Sequence, residues 1–322
     1  MNDKRVVWPQ DDTGIEPAQV GVKNARLAEL SREGIRVPAG FVVTAAAYQE
    51  FVREAQLGEL IAREIRSYRA GRDVTVVAAA IRTAFCEAPL PPALADRILE
   101  AYDVLGGDGT EVAVRCSPVA LQDDEPDEIF LHLRSGSEVL AACRRCFASL
   151  FGSVAVGNRE LRGPDHLSAV MPVAVQRMVR SDLGGSGTAR GESTFVRIRA
   201  AWGLGEPPVA DPDQYSVHPG TRPMIVKHRG GKRTKTVYAE AHGTRTISTT
   251  SQERSDLVLT DEVIEELARW SVVADQHFKR PMELEWAKDG RSGDLYLVEA
   301  RQRALAPLPI TRPARDVQVP QH

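Results

Sequence analysis

The chain has 322 residues, 43% of them hydrophobic and 26% charged, with 41 Lys and Arg against 44 Asp and Glu for a net charge of −3. That length suffices for one large domain or two lobes, and the near-neutral balance gives no electrostatic footprint for nucleic acid. No apolar run approaches the ~20 residues that span a bilayer, and the start MNDKRVVWPQDD lacks the apolar core of a signal peptide; a cytoplasmic protein with neither nucleic-acid nor membrane partners is expected. The cysteines, Cys86, Cys116, Cys143 and Cys146, do not form a disulfide framework. Cys143 and Cys146 make a CxxC, but they fall on a helix whose stripe Val139, Leu140, Cys143, Phe147, Leu150 and Phe151 faces a core. With no second CxxC to complete a zinc site, core packing is the expected role.

In chain order, a helix is expected from Asn24 to about Glu33, with Leu27 and Leu30 on its apolar side and Gly34 past its end. Val37–Val43 turns into a strand, and Thr44 caps a helix from Ala45. Helical sequence continues to about Leu105, where the Gly106–Gly109 run breaks it. Glu111–Arg115 reads as a buried strand, followed by a charged loop (Gln122–Glu128), a strand at Ile129–Leu133, the cysteine helix, and an apolar strand at Val173–Val179. Gly184–Gly187 reads as a flexible turn, and a second lobe opens near Thr194 with a strand at Phe195–Ala200. Tyr215–Val217, Met224–His228 and Thr234–Tyr238 suggest an antiparallel meander, and Thr260 caps a long helix to about Phe278. The expected organisation is a lobe at 1–190, a second lobe at 194–304, and a proline-containing tail at 305–322.

The last structured stretch, Arg280–Arg301, reads as two alternating strands around an Asp289–Asp294 turn. Paired as a hairpin, it sets Glu285 opposite Glu299 on one face with Arg301 beside them. Like charges directly opposite destabilise a sheet, so the pair is either solvated or bridged by a cation; magnesium takes one or two carboxylates plus phosphate oxygens. Elsewhere, Lys23 lies where a loop enters a helix, a place that attracts anions. Arg115 ends an apolar strand and needs either a salt bridge or a ligand. Gln176 interrupts an apolar run, as a cleft-lining side chain or as a buried amide. No GxSxG, HExxH or GxxxxGK[ST] is present.

Taken together, Val20–Leu30, Gly34–Thr44, Val112–Ser117, Phe147–Phe151, Val175–Leu183, Trp202–Glu206 and Arg280–Gly290 resemble, in order and over nearly the whole chain, the N-terminal ATP-binding domain of phosphoenolpyruvate synthase. That domain also occurs in pyruvate phosphate dikinase and rifampicin phosphotransferase. The resemblance implies an α+β, ATP-grasp-like fold of two lobes closing on ATP and Mg2+. It implies that Lys23 and Arg115 contact phosphates, and that Gln176 and Met178 contact the nucleotide. It further implies that Glu285 binds magnesium with Glu299 as a second ligand, and that Arg301 ends the motif.

Several positions depart from the family pattern. Val22 replaces the second glycine before the lysine, Glu299 replaces a glutamine, and the segment after Gly187 is short. Between Ser117 and Ile129 a glycine-containing phosphate-covering loop gives way to the shorter, acidic Asp123–Phe130. The chain runs only from Arg301 to His322 beyond the motif, so the phosphohistidine domain that receives the diphosphoryl group in the family is expected in trans, or the acceptor is a small molecule. The alternatives are a degenerate nucleotide-binding or regulatory subunit, and an ATP-grasp-type ligase that activates a carboxylate.

Overall fold

The computed structural model describes residues 5–10, 15–119, 128–163, 165–182, 184–192, 194–204, 210–218, 223–239 and 243–302. The acidic stretch Asp123–Asp127, residues 205 and 206 of the Trp202–Glu206 loop, and the tail from 305 lie outside them. In chain order the first elements are β1 (Val6–Val7), α1 (Pro17–Val20), α2 (Val22–Arg32), β2 (Gly40–Val43), α3 (Ala45–Glu54), α4 (Leu57–Arg69), α5 (Val74–Glu87) and α6 (Pro92–Leu105). Next come β3 (Val112–Cys116), β4 (Ile129–Leu133), α7 (Gly136–Ser149), α8 (Ser153–Arg162) and β5 (Val173–Arg177). The second half holds β6 (Gly185–Gly191), β7 (Val196–Trp202), β8 (Asp213–His218), β9 (Met224–His228), β10 (Thr234–Tyr238) and β11 (Thr244–Ser248). It ends with α9 (Ser251–Ser255), α10 (Asp261–Phe278), β12 (Met282–Lys288) and β13 (Leu295–Gln302).

Local chemistry explains many of the boundaries. The Thr44 side chain accepts from the Ala47 amide and Asp73 from the Thr75 amide, and Ser135 with Glu138 forms a capping box on α7. Thr260 stands at the N-cap of α10, but its hydroxyl makes no capping bond; Asp261 and Glu262 supply the favourable charge in the first turn.

Two antiparallel sheets organise the chain. The first runs β1-β2-β5-β3-β4 and the second β13-β12-β6-β7-β8-β9. The aromatic residues Tyr48, Phe51, Phe85, Phe147 and Phe151 build one core against the first sheet. Cys143, on the predicted stripe, and its neighbour Cys146 are both wholly buried there, and burial pushes the Cys143 thiol up to about 12. By length and composition Gly136–Arg162 is a candidate membrane-crossing helix, but it is interrupted by Arg144 and Arg145, breaks into α7 and α8, and is mostly buried in this core.

The second core lies between the six-stranded sheet and α10, with Trp286, Tyr215 and Ile264 at its centre. Leu27, Leu30 and Ile35 also belong to it. The early helix α2 therefore packs on the late hairpin.

Two sequence readings are corrected. Gly184–Gly187 is not a flexible turn, since Gly185–Gly191 is the inner strand β6 between β12 and β7. Its glycines answer crowding: a Cβ on Gly187 would fall 1.9 Å from the Arg199 carbonyl oxygen. The expected meander holds for β8 and β9 but not for β10, which leaves the sheet to pair with β11 as a separate ribbon.

Candidate functional site

Residues paired across a sheet share a face, so the registers of the second sheet map the surface turned toward the first lobe. One row runs Glu299, Glu285, Thr188, Arg199, Gln214 across β13, β12, β6, β7 and β8. Two residues along, ~7 Å away, the row is Arg301, Glu283, Arg190, Arg197, Ser216. On the other side it is Tyr296, Ala287, Ser186, Ala201. The intervening Leu284, Ala189, Ile198 and Tyr215 point into the second core.

The predicted opposition of Glu285 and Glu299 is present, but strict alternation along the second strand is not. The register passes from Glu285 opposite Glu299 to Trp286 opposite Leu297, leaving Val298 as the extra residue of a bulge. Without it, Glu299 would share the core face of Leu295 and Leu297. The bulge turns Glu299 to the cleft and frees the Val298 carbonyl, which accepts from Arg115 Nη1 at 2.9 Å. Arg115, on β3 of the first sheet, thus holds the two lobes together at the site.

The repulsion between the two carboxylates is relieved by a cation on each. Arg301 Nη2 pairs with Glu285, and its Nε lies 3.5 Å from Glu283. Lys23 Nζ lies 3.4 Å from Glu299 Oε1, and the Glu299 side chain is only 7% exposed. Lys23 reaches this position because Gly21 lets α2 start hard against the Ser117 segment. Gly21 has φ +82°, and a Cβ there would meet the Ser117 carbonyl oxygen at 1.9 Å. Val22 does not share the positive φ, so the missing second glycine costs nothing in backbone strain.

Arg115, Gln176, Met178, Glu285, Glu299 and Arg301 all line one cleft between the sheets, of about 900 Å3. Lys23 is not on its wall but reaches it through Glu299. At the end nearest the link from β5 to β6, the lining is apolar: Met178, Val179, Ala201, Leu204 and Tyr238. Tyr238 Oη sits 4.0 Å from Met178 Sδ, and burial pushes its phenol pKa up. The other end carries Glu283, Glu285, Arg190 and Arg301.

Three features escaped the sequence reading. Arg199 lies in the row of Glu285; among the described cations lining the cleft it alone has neither a carboxylate nor a carbonyl partner, since Arg115 and Arg177 bond carbonyls and Arg190 and Arg301 pair with glutamates. Its signal was the alternation of Arg197 and Arg199 with Val196, Ile198 and Ala200. Arg180, in the link between the lobes, grips Asp182 at 2.9 Å and Glu111 at 3.0 Å and stacks on Tyr238 at 5.3 Å. Its amide donates to Asp289 of the hairpin turn at 2.9 Å. These pairs hold its guanidinium pKa above the usual range, Asp182 first. For Glu111, burial works to raise the pKa, but Arg180 and Arg134 outweigh it and hold the carboxyl below its ordinary value. Arg190, beside Glu283 at 3.7 Å, completes the set.

Fold and cleft define a two-lobed α+β protein with a narrow interlobe site that carries charges of both signs. Residues 17–309 match the family described as the pyruvate phosphate dikinase AMP/ATP-binding domain, and the chain belongs to that family. Phosphoenolpyruvate synthase of Escherichia coli is 38% identical over 315 residues, covering 88% of this chain and 40% of the relative. The synthase of Deinococcus radiodurans is 38% identical over 310 residues, covering 88% of this chain and 39% of the relative. The chain thus spans about two-fifths of the length of these curated relatives. Among solved structures, D-alanine–D-alanine ligase from Bacillus anthracis covers 69% of this chain and 58% of its own at 8% identity, with a TM-score of 0.27, a likeness too slight to carry an argument.

Proposed function

We propose that the cleft binds ATP with Mg2+ in an ATP-grasp-like manner and that the protein is a cytoplasmic phosphotransferase unit. It would hand a phosphoryl or diphosphoryl group to a histidine domain in trans or to a small acceptor. The observation that carries this is the cross-strand row in which Glu285 and Glu299 face each other, each beside its own cation, on the floor of a cleft whose far end is apolar. The apolar end, with Gln176 and Met178, suits a purine base. The polyphosphate then runs over the Thr188–Arg199 row toward Arg301, with Arg115 and Lys23 above it. Glu285 and Glu299 are hard oxygen donors of the kind that hold Mg2+, which when bound neutralises phosphate charge. The remaining work is positioning and charge stabilisation by Lys23, Arg115, Arg199 and Arg301. We place the lobe division at the link between Arg177 and Gly185, earlier than the sequence boundary at 190–194, with α2 riding on the second lobe.

One observation favours a non-catalytic nucleotide-binding subunit instead: Lys23 and Arg301 already neutralise Glu299 and Glu285 within the chain. Incubation with ATP and magnesium, read by phosphorus NMR, separates the readings. AMP release marks diphosphoryl transfer, and ADP a simple kinase or ligase. Tight ATP binding without turnover, even with a histidine-domain partner added, leaves the non-catalytic subunit. No ATP binding at all sinks every nucleotide reading.

A further inference from the structure

A second hollow, of about 820 Å3, lies outside the cleft, lined by Arg229, Gly230, Gly231, Arg233, Ser248, Ser251, Arg254 and Ser255. It sits at the base of the β10–β11 ribbon, where Thr234 pairs with Ser248, while Tyr238 and Thr244 at the other end of the ribbon line the cleft. Four residue steps separate the two ends, ~14 Å along a strand.

What distinguishes this hollow is a cluster of arginines outside any ion pair among the described residues. Arg229 Nη1 donates to the Ser255 carbonyl at 2.9 Å. Arg254 donates to the Thr249 carbonyl and, at 3.2 Å, to Ser251 Oγ. Arg233 is exposed; its carbonyl accepts from the Thr249 amide at 3.0 Å, but its guanidinium makes no hydrogen bond or ion pair among the described residues. None of the three is in an ion pair with a described carboxylate. Of the nearby acids, Glu253 pairs with Lys235, while Asp256 accepts from the Gln252 side-chain amide at 2.6 Å and Asp211 from the Gly231 amide at 2.6 Å, and neither aspartate is in an ion pair with these arginines. Neutral acceptors fix two guanidinium groups in direction without cancelling their charge, and adjacent serine hydroxyls add donors of the kind phosphate oxygens accept.

The hollow also rests on a rigid base. Lys232 and Asp213 form an ion pair with both side chains 0% exposed. A buried pair contributes little net stability once desolvation is counted. This one joins segments: Asp213 also accepts from the Gly230 amide at 2.9 Å and the Val258 amide at 2.9 Å, and Lys232 Nζ donates to the Gly230 carbonyl at 3.1 Å. It thereby ties the strand link that carries Arg229 and Arg233 to the segment following α9, which carries Arg254 and Ser255.

We propose that this hollow is a binding site for a small phosphorylated ligand, separate from the nucleotide cleft. The test is calorimetric titration of the full chain with inorganic pyrophosphate in the absence of magnesium. The wild type is expected to bind, more weakly as salt rises. Arg233→Glu is expected to weaken binding at least about tenfold, as loss of a charge-assisted contact does. Because the Arg233 guanidinium is exposed and makes no bond among the described residues, this variant's melting temperature without ligand should match the wild type. Lys23→Ala, which alters the cleft, should leave pyrophosphate binding unchanged. Absence of binding by the wild type, an unchanged affinity in Arg233→Glu, or a loss confined to Lys23→Ala would each overturn the proposal. ATP binding in the presence of magnesium, measured alongside, reports on the cleft independently.

Discussion

The cleft and the hollow are both lined by arginines, yet they hold charge in opposite ways. In the cleft, three cations meet carboxylates, Arg301 with Glu285, Lys23 with Glu299 and Arg190 with Glu283, although Arg115 and Arg177 bond carbonyls. In the hollow, Arg229 and Arg254 are held by carbonyls and keep their charge. A bare anion entering the hollow breaks no ion pair of these arginines among the described residues. A bare anion entering the cleft meets three glutamates and must break internal pairs. A metal–phosphate complex matches both signs at once, offering the metal to the carboxylates and phosphate oxygens to the cations they release. On the two proposed readings, this difference predicts magnesium-dependent binding in the cleft and magnesium-independent binding in the hollow.

The largest expected effect comes from removing Glu285, the carboxylate proposed to hold the metal. Glu285→Ala should weaken ATP binding in magnesium by roughly a hundredfold, in line with losing a charged contact and its partner's neutralisation. It should also abolish the gain from adding magnesium. Calorimetry with and without a chelator reads both quantities. If the variant still binds ATP better with magnesium than without, Glu285 is not a metal ligand.

That residue was legible in the sequence because a hairpin's pairing follows from two alternating strands and a turn, and register placed Glu285 against Glu299. The bulge at Val298 was not legible, since nothing in Leu295–Arg301 marks which residue is extra until a partner, the Arg115 guanidinium, claims its carbonyl. Gly184–Gly187 misled for a related reason. Glycine serves both turns and crowded strands, and only the nearby Arg199 carbonyl decides between them. The packing of α2 on β13 is a contact between residues far apart in the chain, beyond the reach of any local pattern. Arg199 was visible as one of two outward arginines on a strand, but its meaning depends on lying two strands from Glu285.

Arg199 gives the next, smaller test of the contrast, because like Arg233 in the hollow its guanidinium has no partner among the described residues. Arg199→Ala should weaken magnesium-ATP binding about tenfold and leave adenosine binding unchanged, while Arg199→Lys restores part of the loss. Equal losses for ATP and adenosine would mean that the side chain shapes the cleft without touching phosphate.

The smallest effect concerns how the lobes that form the cleft are held. Glu111 bonds Arg180 in the interlobe link, and Arg180 in turn reaches Asp182, Tyr238 and the hairpin turn at Asp289. The Glu111 carboxyl is held below its ordinary value when folded. A depressed carboxylate contributes stability above its unfolded pKa, ~4.3, and loses it as pH falls through the lower folded value. Melting temperature should therefore lose this contribution below roughly pH 4.5. Glu111→Gln keeps the shape but not the charge, so it should melt a few degrees lower at neutral pH, of the order expected for ~1 kcal/mol, and the gap to wild type should close on acidification. A gap that stays constant from neutral pH down to the acid limb would show that Glu111 acts through hydrogen-bond geometry alone.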